Sequence, residues 1–209
     1  MSLQEIFADL HKRFDKRDIM DRYAAAARIV VEEERKRLLN VGDRVPHFEL
    51  RDPEFGDFSS AGPLRQGPLV VTFYRGLWCS LCQEDLFELE QVMPAIRQAK
   101  GSAIAVTHNL PADARRRLHE AQGFSFPLMN DFDGTVAEQF GIRWSQGDYQ
   151  LIEKELGMDA ITLRDGGPWI VPMQARYVIA PGGLVVFANA VFDYADRSKP
   201  SDALSVLRS

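Results

Sequence analysis

Hydrophobic and polar positions follow two different patterns along the chain, one typical of strands and one typical of helices, and together they predict an α/β protein. Nearly continuous apolar runs, typical of buried strands, occur at PLVVTFYRG (68–76) and SAIAVTH (102–108). Between them, apolar residues recur at steps of three and four from Cys82 to Ile96, which predicts a helix with one buried face. A strand, a helix and a second strand in this order predict a parallel β-α-β unit.

The C-terminal part of the chain predicts a hairpin and a closing helix. Two β-rich runs flank a Pro-Gly-Gly turn in ARYVIAPGGLVVFANAVF (175–192), so antiparallel strands join the sheet and make it mixed. The segment SKPSDALSVLRS (198–209) predicts a helix with Ser198 as its cap and Pro200 in its first turn. The remaining predictions are a helix over 111–123, a strand over 126–131, a helix over 134–141 and an irregular insertion over 143–170.

The N-terminal part predicts a helical arm over residues 1–39, followed by one domain over 40–209. The arm ends in YAAAARIVVEEERKRLL (23–39), which contains strong helix formers and neither Gly nor Pro. Its apolar stripe is expected to pack on the main domain or on a second subunit, which would make a homodimer. After the linker, HFELRD (47–52) alternates as a short strand does, and 53–68 is expected to be a loop.

Composition excludes several classes of function. Lys plus Arg number 25 and Asp plus Glu number 30, and this net charge of -5 argues against a nucleic-acid partner. The sequence shows no secretory signal and no apolar run long enough to span a membrane, so we expect a cytoplasmic protein with no membrane partner. It contains no flavin, nucleotide or haem motif, so no bound cofactor is expected.

The chain contains two cysteines, Cys79 and Cys82, in a C-x-x-C motif where a predicted strand meets a predicted helix. This is the context of thioredoxin-like redox pairs, because a helix N-terminus stabilises a thiolate relative to a thiol. Structural zinc is less well supported, since it requires four ligands and the four histidines are scattered along the sequence. An inert buried thiol is a further alternative for Cys82, which lies on the apolar stripe of its helix.

Neighbouring side chains offer support for the cysteine pair, each with a structural alternative. Arg75 precedes Cys79 by four residues and would stabilise a thiolate, unless it is a surface arginine paired with Asp85 or Glu84. Trp78 either shields the thiolate or caps the core. Tyr74 either donates a hydrogen bond to the site or faces the interior of the sheet.

The segments FYRGLWCSLCQEDL (73–86) and VPMQARYVIAPGGLVVFANAVFDY (171–194) resemble the alkyl hydroperoxide reductase/thiol-specific antioxidant family of peroxiredoxin-like proteins. The resemblance covers roughly residues 40–209. It implies a thioredoxin-like fold, with a central mixed β-sheet flanked by helices and, in this chain, an N-terminal helical extension. It also implies that a cysteine thiolate reduces a peroxide, that a second thiol forms a disulfide, and that a thioredoxin-type or small-thiol reductant restores the pair.

The resemblance leaves the roles of the two cysteines open. Aligned with the peroxiredoxin motif P-x-x-x-T-x-x-C, the chain has Arg75 at the Pro position, Cys79 at the Thr position and Cys82 at the attacking position. In the same alignment Asp85 occupies a position that is usually Glu. Aligned with thioredoxin, Cys79 attacks and Cys82 resolves. Both alignments predict a Cys79–Cys82 disulfide.

A second departure lies in the downstream segment. Thioredoxin-like folds place a cis-proline opposite the cysteines, and peroxiredoxins have an arginine there, whereas this chain has Gln174. Pro172 and Arg176 are two residues away on either side, and residues two apart share a face of a strand. Either is a candidate for the missing role, with Pro172 expected to be trans.

Together these features predict an oxidoreductase, a thiol peroxidase that reduces hydrogen peroxide or organic hydroperoxides through Cys79 and Cys82. Two alternatives are a thiol–disulfide oxidoreductase without peroxidase activity and a non-catalytic thioredoxin-fold binding module.

Overall fold

A computed structural model describes residues 37–52, 56–76, 79–108, 116, 123–144, 171–191 and 196–207. The predicted arm, apart from residues 37–39, and the helix predicted over 111–123, apart from Arg116, lie outside the described residues. So does most of the insertion predicted over 143–170. In chain order, the strands are β1 (Glu49–Leu50), β2 (Phe58–Ser59), β3 (Leu69–Phe73), β4 (Ser102–Thr107), β5 (Leu128–Asn130), β6 (Arg143–Trp144), β7 (Val171–Pro172), β8 (Gln174–Ile179) and β9 (Val185–Val191). The α-helices are α1 (Ala61–Gln66), α2 (Ser80–Gln98), α3 (Thr135–Gln139) and α4 (Leu204–Leu207), with a 3₁₀ helix at Pro200–Ala203 before α4.

Strand β3 is the centre of a five-stranded sheet in the order β5-β4-β3-β8-β9. It pairs in parallel with β4, which pairs in parallel with β5. On its other side β3 pairs antiparallel with β8, and β8 and β9 form the predicted hairpin. The mixed sheet and the β-α-β unit are therefore confirmed, and β3 is buried along its whole length as its apolar sequence predicts.

The two faces of the sheet carry separate cores because side chains alternate along each strand. One face is covered by Phe48, Phe140 and Tyr177 together with the odd-numbered residues of β3. The other face, which includes Val70 and Tyr74, packs against helix α2 and the C-terminal α4. The stripe predicted for α2 is confirmed, since its members are all buried: Cys82, Leu86, Leu89, Met93 and Ile96.

Three local predictions differ from the structure. The segment 53–68, predicted as a loop, contains β2, paired with β1, and the short helix α1. Residues 143–144, predicted as part of an irregular insertion, form β6, which pairs with β7. The cap of the closing helix is Lys199 rather than Ser198, because the Asp202 carboxylate accepts the Lys199 N–H while the Ser198 N–H is used by Asn189.

No helix among the described residues combines the length and the apolar character needed to cross a membrane.

Candidate active site

Cys79 is the N-cap residue of helix α2 and follows the last residue of the central strand β3, Phe73, by six positions. Its backbone is extended, and its Sγ accepts a hydrogen bond from the Cys82 backbone N–H at 3.3 Å. The first N–H groups of a helix have no partner within the helix and carry a partial positive charge. The sulfur of Cys79 therefore replaces the usual hydroxyl or carboxylate cap, in a position that stabilises a negative charge.

The two thiols are neighbours, and both are buried. Their Sγ atoms lie 2.6 Å apart and are not joined in a disulfide. Cys79 is 6% exposed and Cys82 is fully buried. The pair can therefore form a disulfide within one turn of chain, and Cys79 is the sulfur that a small molecule reaches first.

Arg75 completes the surroundings of Cys79. Its side chain is only 6% exposed, and its guanidinium donates to the Cys79 Sγ at 3.6 Å. The surface position considered as the alternative is therefore wrong. Asp85, one of the two acidic partners considered for Arg75, binds Arg176 and Arg197 instead. A buried guanidinium beside a sulfur stabilises its anionic form.

These contacts shift the pKa values of the two thiols in opposite directions. Burial by itself raises the pKa of Cys79, but hydrogen bonding from the Cys82 side chain and the charge of Arg75 outweigh it and lower the pKa to about 6. For Cys82, burial and its hydrogen bond to Cys79 raise the pKa well above the ordinary thiol value. At neutral pH the pair therefore holds a thiolate at Cys79 and a proton at Cys82.

Of the two aromatic residues considered for the site, only Tyr74 is described. It is fully buried and belongs to the same apolar cluster as Cys79 and Cys82. The interior-facing alternative for its ring is thus confirmed, and its use as a donor toward the site stays a prediction. Trp78 lies outside the described residues.

Pro172, Gln174 and Arg176, the candidates from the downstream segment, lie in different surroundings. None of the peptide bonds in the described segments is cis, so Pro172 is trans, as expected, and it pairs with Arg143 in the separate β6–β7 sheet. Gln174 begins β8 and is buried. Arg176 is also buried, with its guanidinium bound to Thr72, Asp85 and the Ser198 carbonyl. Arg176 therefore ties helix α2 to the sheet.

A charged cluster behind the cysteines was only partly foreseen. Asp85 lies one turn after Cys82 on α2 and binds two guanidinium groups, those of Arg176 at 2.5 Å and Arg197 at 2.7 Å. Arg197 also binds Glu88 at 2.9 Å. Arg197 was missed because it is 112 positions away from Asp85 in a segment without a recognisable motif.

The zinc alternative finds no support among the residues that the structure describes. No group of three or more His, Cys, Asp or Glu side chains is placed there to hold a metal ion. His108, at the carboxyl end of β4, is half-buried and its Nδ1 lies 2.8 Å from the Asp131 carbonyl oxygen.

Comparison with known proteins places the chain in a family. Residues 41–188 match the model of the AhpC/TSA family. Alkyl hydroperoxide reductase E of Mycobacterium bovis is 27% identical over 107 residues, which cover 50% of this chain and 69% of that protein. Thiol-disulfide oxidoreductase ResA of Halalkalibacterium halodurans is 26% identical over 52% of this chain and 60% of that protein.

The fold agrees with the family match. The crystal structure of peroxidoxin BcpB from Mycobacterium tuberculosis superposes with a TM-score of 0.61 at 22% sequence identity, covering 81% of this chain and 97% of that one. This similarity confirms the thioredoxin-like fold, an α/β arrangement with a mixed central sheet. Because the family model spans well over half of the sequence, the chain belongs to the AhpC/TSA family and is an oxidoreductase.

Proposed function

We propose that this chain is a thiol peroxidase in which Cys79 attacks the peroxide and Cys82 resolves the product. The family supports thiol peroxidase activity in general. The observation that carries the assignment of roles is the contrast between the two thiols, an acidic Cys79 beside Arg75 and a proton-retaining Cys82. It favours the thioredoxin-like alignment of the C-x-x-C motif over the peroxiredoxin-like one.

The proposed reaction balances with the groups of this site. The Cys79 thiolate attacks the terminal oxygen of a hydroperoxide ROOH, so that an S–O bond forms, the O–O bond breaks and Cys79 becomes a sulfenic acid. The leaving RO⁻ takes the proton of Cys82. The resulting Cys82 thiolate then attacks the Cys79 sulfur, the disulfide forms, and hydroxide leaves as water with one proton from solvent.

Two electrons from an external thiol restore the dithiol. A thioredoxin-type protein or a small thiol fits this step, since its thiolate needs to reach one sulfur of the bridge. Cys79 is the accessible sulfur of the two. We therefore expect a transient mixed disulfide at Cys79, with Cys82 as the leaving thiol.

The second candidate is thiol–disulfide exchange with protein substrates. An acidic cysteine at a helix N-terminus, followed by a second thiol in C-x-x-C spacing, suits this reaction equally well. Exposure favours the peroxidase, because a 6% exposed Cys79 admits a small peroxide more readily than a folded protein. A non-catalytic binding module gives no reason for an acidic thiol with a buried arginine beside it.

Single-cysteine variants test both the activity and the roles. Cys79→Ser and Cys82→Ser each leave one thiol in the chain, so every oxidation product has a known location. With hydrogen peroxide or cumene hydroperoxide, we expect Cys82→Ser to form a sulfenic acid that dimedone traps, and Cys79→Ser to form little.

Turnover completes the test. Both variants should lose peroxide-dependent consumption of electrons from a thioredoxin system, which the wild-type protein should support. If Cys79→Ser instead forms the sulfenic acid at the wild-type rate, the roles are reversed. If the wild-type protein reduces insulin but no peroxide, the second candidate replaces the first.

A further inference from the structure

A row of three side chains crosses the sheet at the end where the cysteines lie. The register pairs Phe73 with Val106 on β4 and with Ala175 on β8. One residue further along, Tyr74 therefore stands between Thr107 and Gln174. Thr107, Tyr74 and Gln174 are here named the polar row.

The polar row belongs to the face of the sheet that carries the cysteines. Ala103 and Ala105 on β4, and Val178 on β8, share one apolar cluster with Cys79 and Cys82. Alternation along each strand puts Thr107 and Gln174 on that same face. Tyr74 is itself a member of the cluster and immediately precedes Arg75, which contacts the Cys79 sulfur.

Both flanking residues of the row carry a buried oxygen without a hydrogen bond. Within the described part of the chain, Gln174 Oε1 and Thr107 Oγ1 have no partner. Gln174 is only 6% exposed and Thr107 is fully buried. Most buried polar atoms in proteins are paired, and leaving one unpaired is destabilising. Two such atoms on one face, on either side of Tyr74, indicate a site that a small polar molecule completes.

The chemistry of the row suits the peroxide rather than a disulfide. An amide oxygen accepts hydrogen bonds only, so it requires an O–H or N–H donor. A hydroperoxide carries an O–H on the oxygen that is attacked, whereas a disulfide carries no donor on the sulfur that is attacked. A site built to hydrogen-bond a substrate hydroxyl discriminates strongly against molecules that lack it.

We propose that Gln174 binds the substrate, its Oε1 accepting the hydrogen bond from the terminal O–H of a hydroperoxide while Cys79 attacks that oxygen. This inference rests on the proposed peroxidase function and adds to it a residue that holds the hydroperoxide during the attack. In the step, the terminal oxygen keeps its hydrogen and becomes the sulfenic acid of Cys79. The other oxygen leaves as RO⁻ and takes the Cys82 proton. Gln174 thus holds the attacked oxygen and exchanges no proton.

The test replaces Gln174 by methionine, which keeps the length of the side chain and removes its polar atoms. We expect Gln174→Met to slow the oxidation of Cys79 by hydrogen peroxide and by cumene hydroperoxide roughly three- to tenfold, the loss of about one hydrogen bond. Methylthiolation of Cys79 by methyl methanethiosulfonate, which carries neither an O–H nor an N–H donor, should change by less than about twofold. Resistance to urea should stay equal or rise, because the variant removes an unpaired buried oxygen.

A matched control lies on the same strand. Tyr177 also has a buried hydroxyl without a partner among the described residues, but its ring belongs to the core on the opposite face of the sheet. Tyr177→Phe should therefore leave the rate with peroxide unchanged. A Gln174→Met protein that reacts with peroxide at the wild-type rate, or that slows equally toward peroxide and methyl methanethiosulfonate, overturns the role of Gln174.

The reactions of the wild-type protein distinguish an error in the role of Gln174 from an error in the proposed peroxidase function. Wild-type protein that reacts with neither hydroperoxide refutes the peroxidase and the role of Gln174 together. If the wild-type protein reacts with both hydroperoxides and Gln174→Met reacts equally fast, only the role of Gln174 is refuted.

Discussion

Cys79 and Cys82 have the same side chain, and the difference between them arises from their neighbours. Burial disfavours the thiolate of either one. Only Cys79 gains enough in return, because a helix N–H and the Arg75 guanidinium both point at its sulfur. Arg75 adds its charge to the hydrogen bonds from Cys82 in lowering the pKa of Cys79, so its removal should be visible in the titration of the protein.

Arg75→Met should raise the pKa of Cys79 from about 6, because burial is then opposed only by the hydrogen bonds from Cys82. The sign follows from the thiolate being the reactive form. Wild-type alkylation by iodoacetamide should increase as the pH rises through about 6 and then level off. In the variant the same increase should come at a higher pH. The rate of alkylation across the pH range measures both midpoints.

Arg75→Lys provides the matched control, since it keeps the charge and loses the planar fork of donors. Its midpoint should lie between those of the wild-type protein and Arg75→Met. An unchanged midpoint in Arg75→Met, in a protein that remains folded by circular dichroism, would mean that the hydrogen bonds from Cys82 alone acidify Cys79.

The sequence could predict the cysteine pair and the arginine beside it, but not which of the two cysteines is the more acidic. C-x-x-C spacing after a buried strand predicted a redox site, and the spacing of Arg75 from Cys79 suggested a contact. Two family alignments gave the cysteines opposite roles, because sequence position does not say which sulfur a guanidinium touches. The 3.6 Å contact with Cys79 supplies that information.

Helix α2 is fixed in place by one buried carboxylate as well as by its apolar stripe. Asp85 is 1% exposed and is shared by Arg176 from β8 and Arg197 from the C-terminal segment. The other contacts of Arg176 are neutral oxygens, the Thr72 hydroxyl and the Ser198 carbonyl. Asp85 is therefore the negative charge that balances a buried cation on the sheet.

Asp85→Asn should lower the free energy of unfolding by about 3–5 kcal/mol, because it keeps the shape of the side chain and leaves the buried Arg176 without a counter-charge. Urea denaturation followed by circular dichroism measures the change. The control is Glu88→Gln, one turn later on the same helix, where a 44% exposed carboxylate also pairs with Arg197.

Glu88→Gln should cost less than about 1 kcal/mol, since exposed ion pairs contribute little. Similar losses in the two variants would show that Arg176 and Asp85 do not form a balanced buried pair. A loss confined to Glu88→Gln would contradict the described network outright.

Elements with a strong hydrophobic period were predicted correctly, whereas contacts between distant segments were not. The runs of β3 and β4 and the stripe of α2 follow from local sequence, because burial on one or both faces dictates their residue types. The sequence of helix α1 predicts a loop, since the helix is short and its residues are rich in turn formers. The cap at Lys199 depends on Asp202 and Asn189, and Asn189 lies on another element.

The residues proposed for the site come from separate parts of the sequence and share one end of the central sheet. Tyr74 and Arg75 follow β3, Thr107 ends β4, and Gln174 starts the antiparallel β8, so these residues meet at that end. The topology requires this meeting, because the carboxyl ends of parallel strands share an edge with the amino end of an antiparallel neighbour. The sequence indicates the strands but not their order, which is why Gln174 could be aligned there only through the family.

The division into an arm over 1–39 and a domain over 40–209 stays a prediction, but the structure shows where the two segments touch. Leu38 and Leu39 pack against the domain core, and the Leu39 N–H donates to the Phe140 carbonyl at 3.3 Å. Beside them Gly141 has a φ of 69°, and a Cβ there would lie 1.9 Å from the Arg37 carbonyl oxygen.

Gly141→Ala should therefore destabilise the protein in two ways, by about 1–2 kcal/mol from the left-handed backbone and by about 1–3 kcal/mol from the displaced 37–39 segment. Gly123→Ala is the control, because its φ of 63° imposes the same strain while a Cβ there meets no atom of the described residues within 4 Å. Urea denaturation should show the larger loss for Gly141→Ala. Equal losses would mean that residues 37–39 do not rest on the domain in solution, whereas the expected difference makes the end of the arm part of the packed domain.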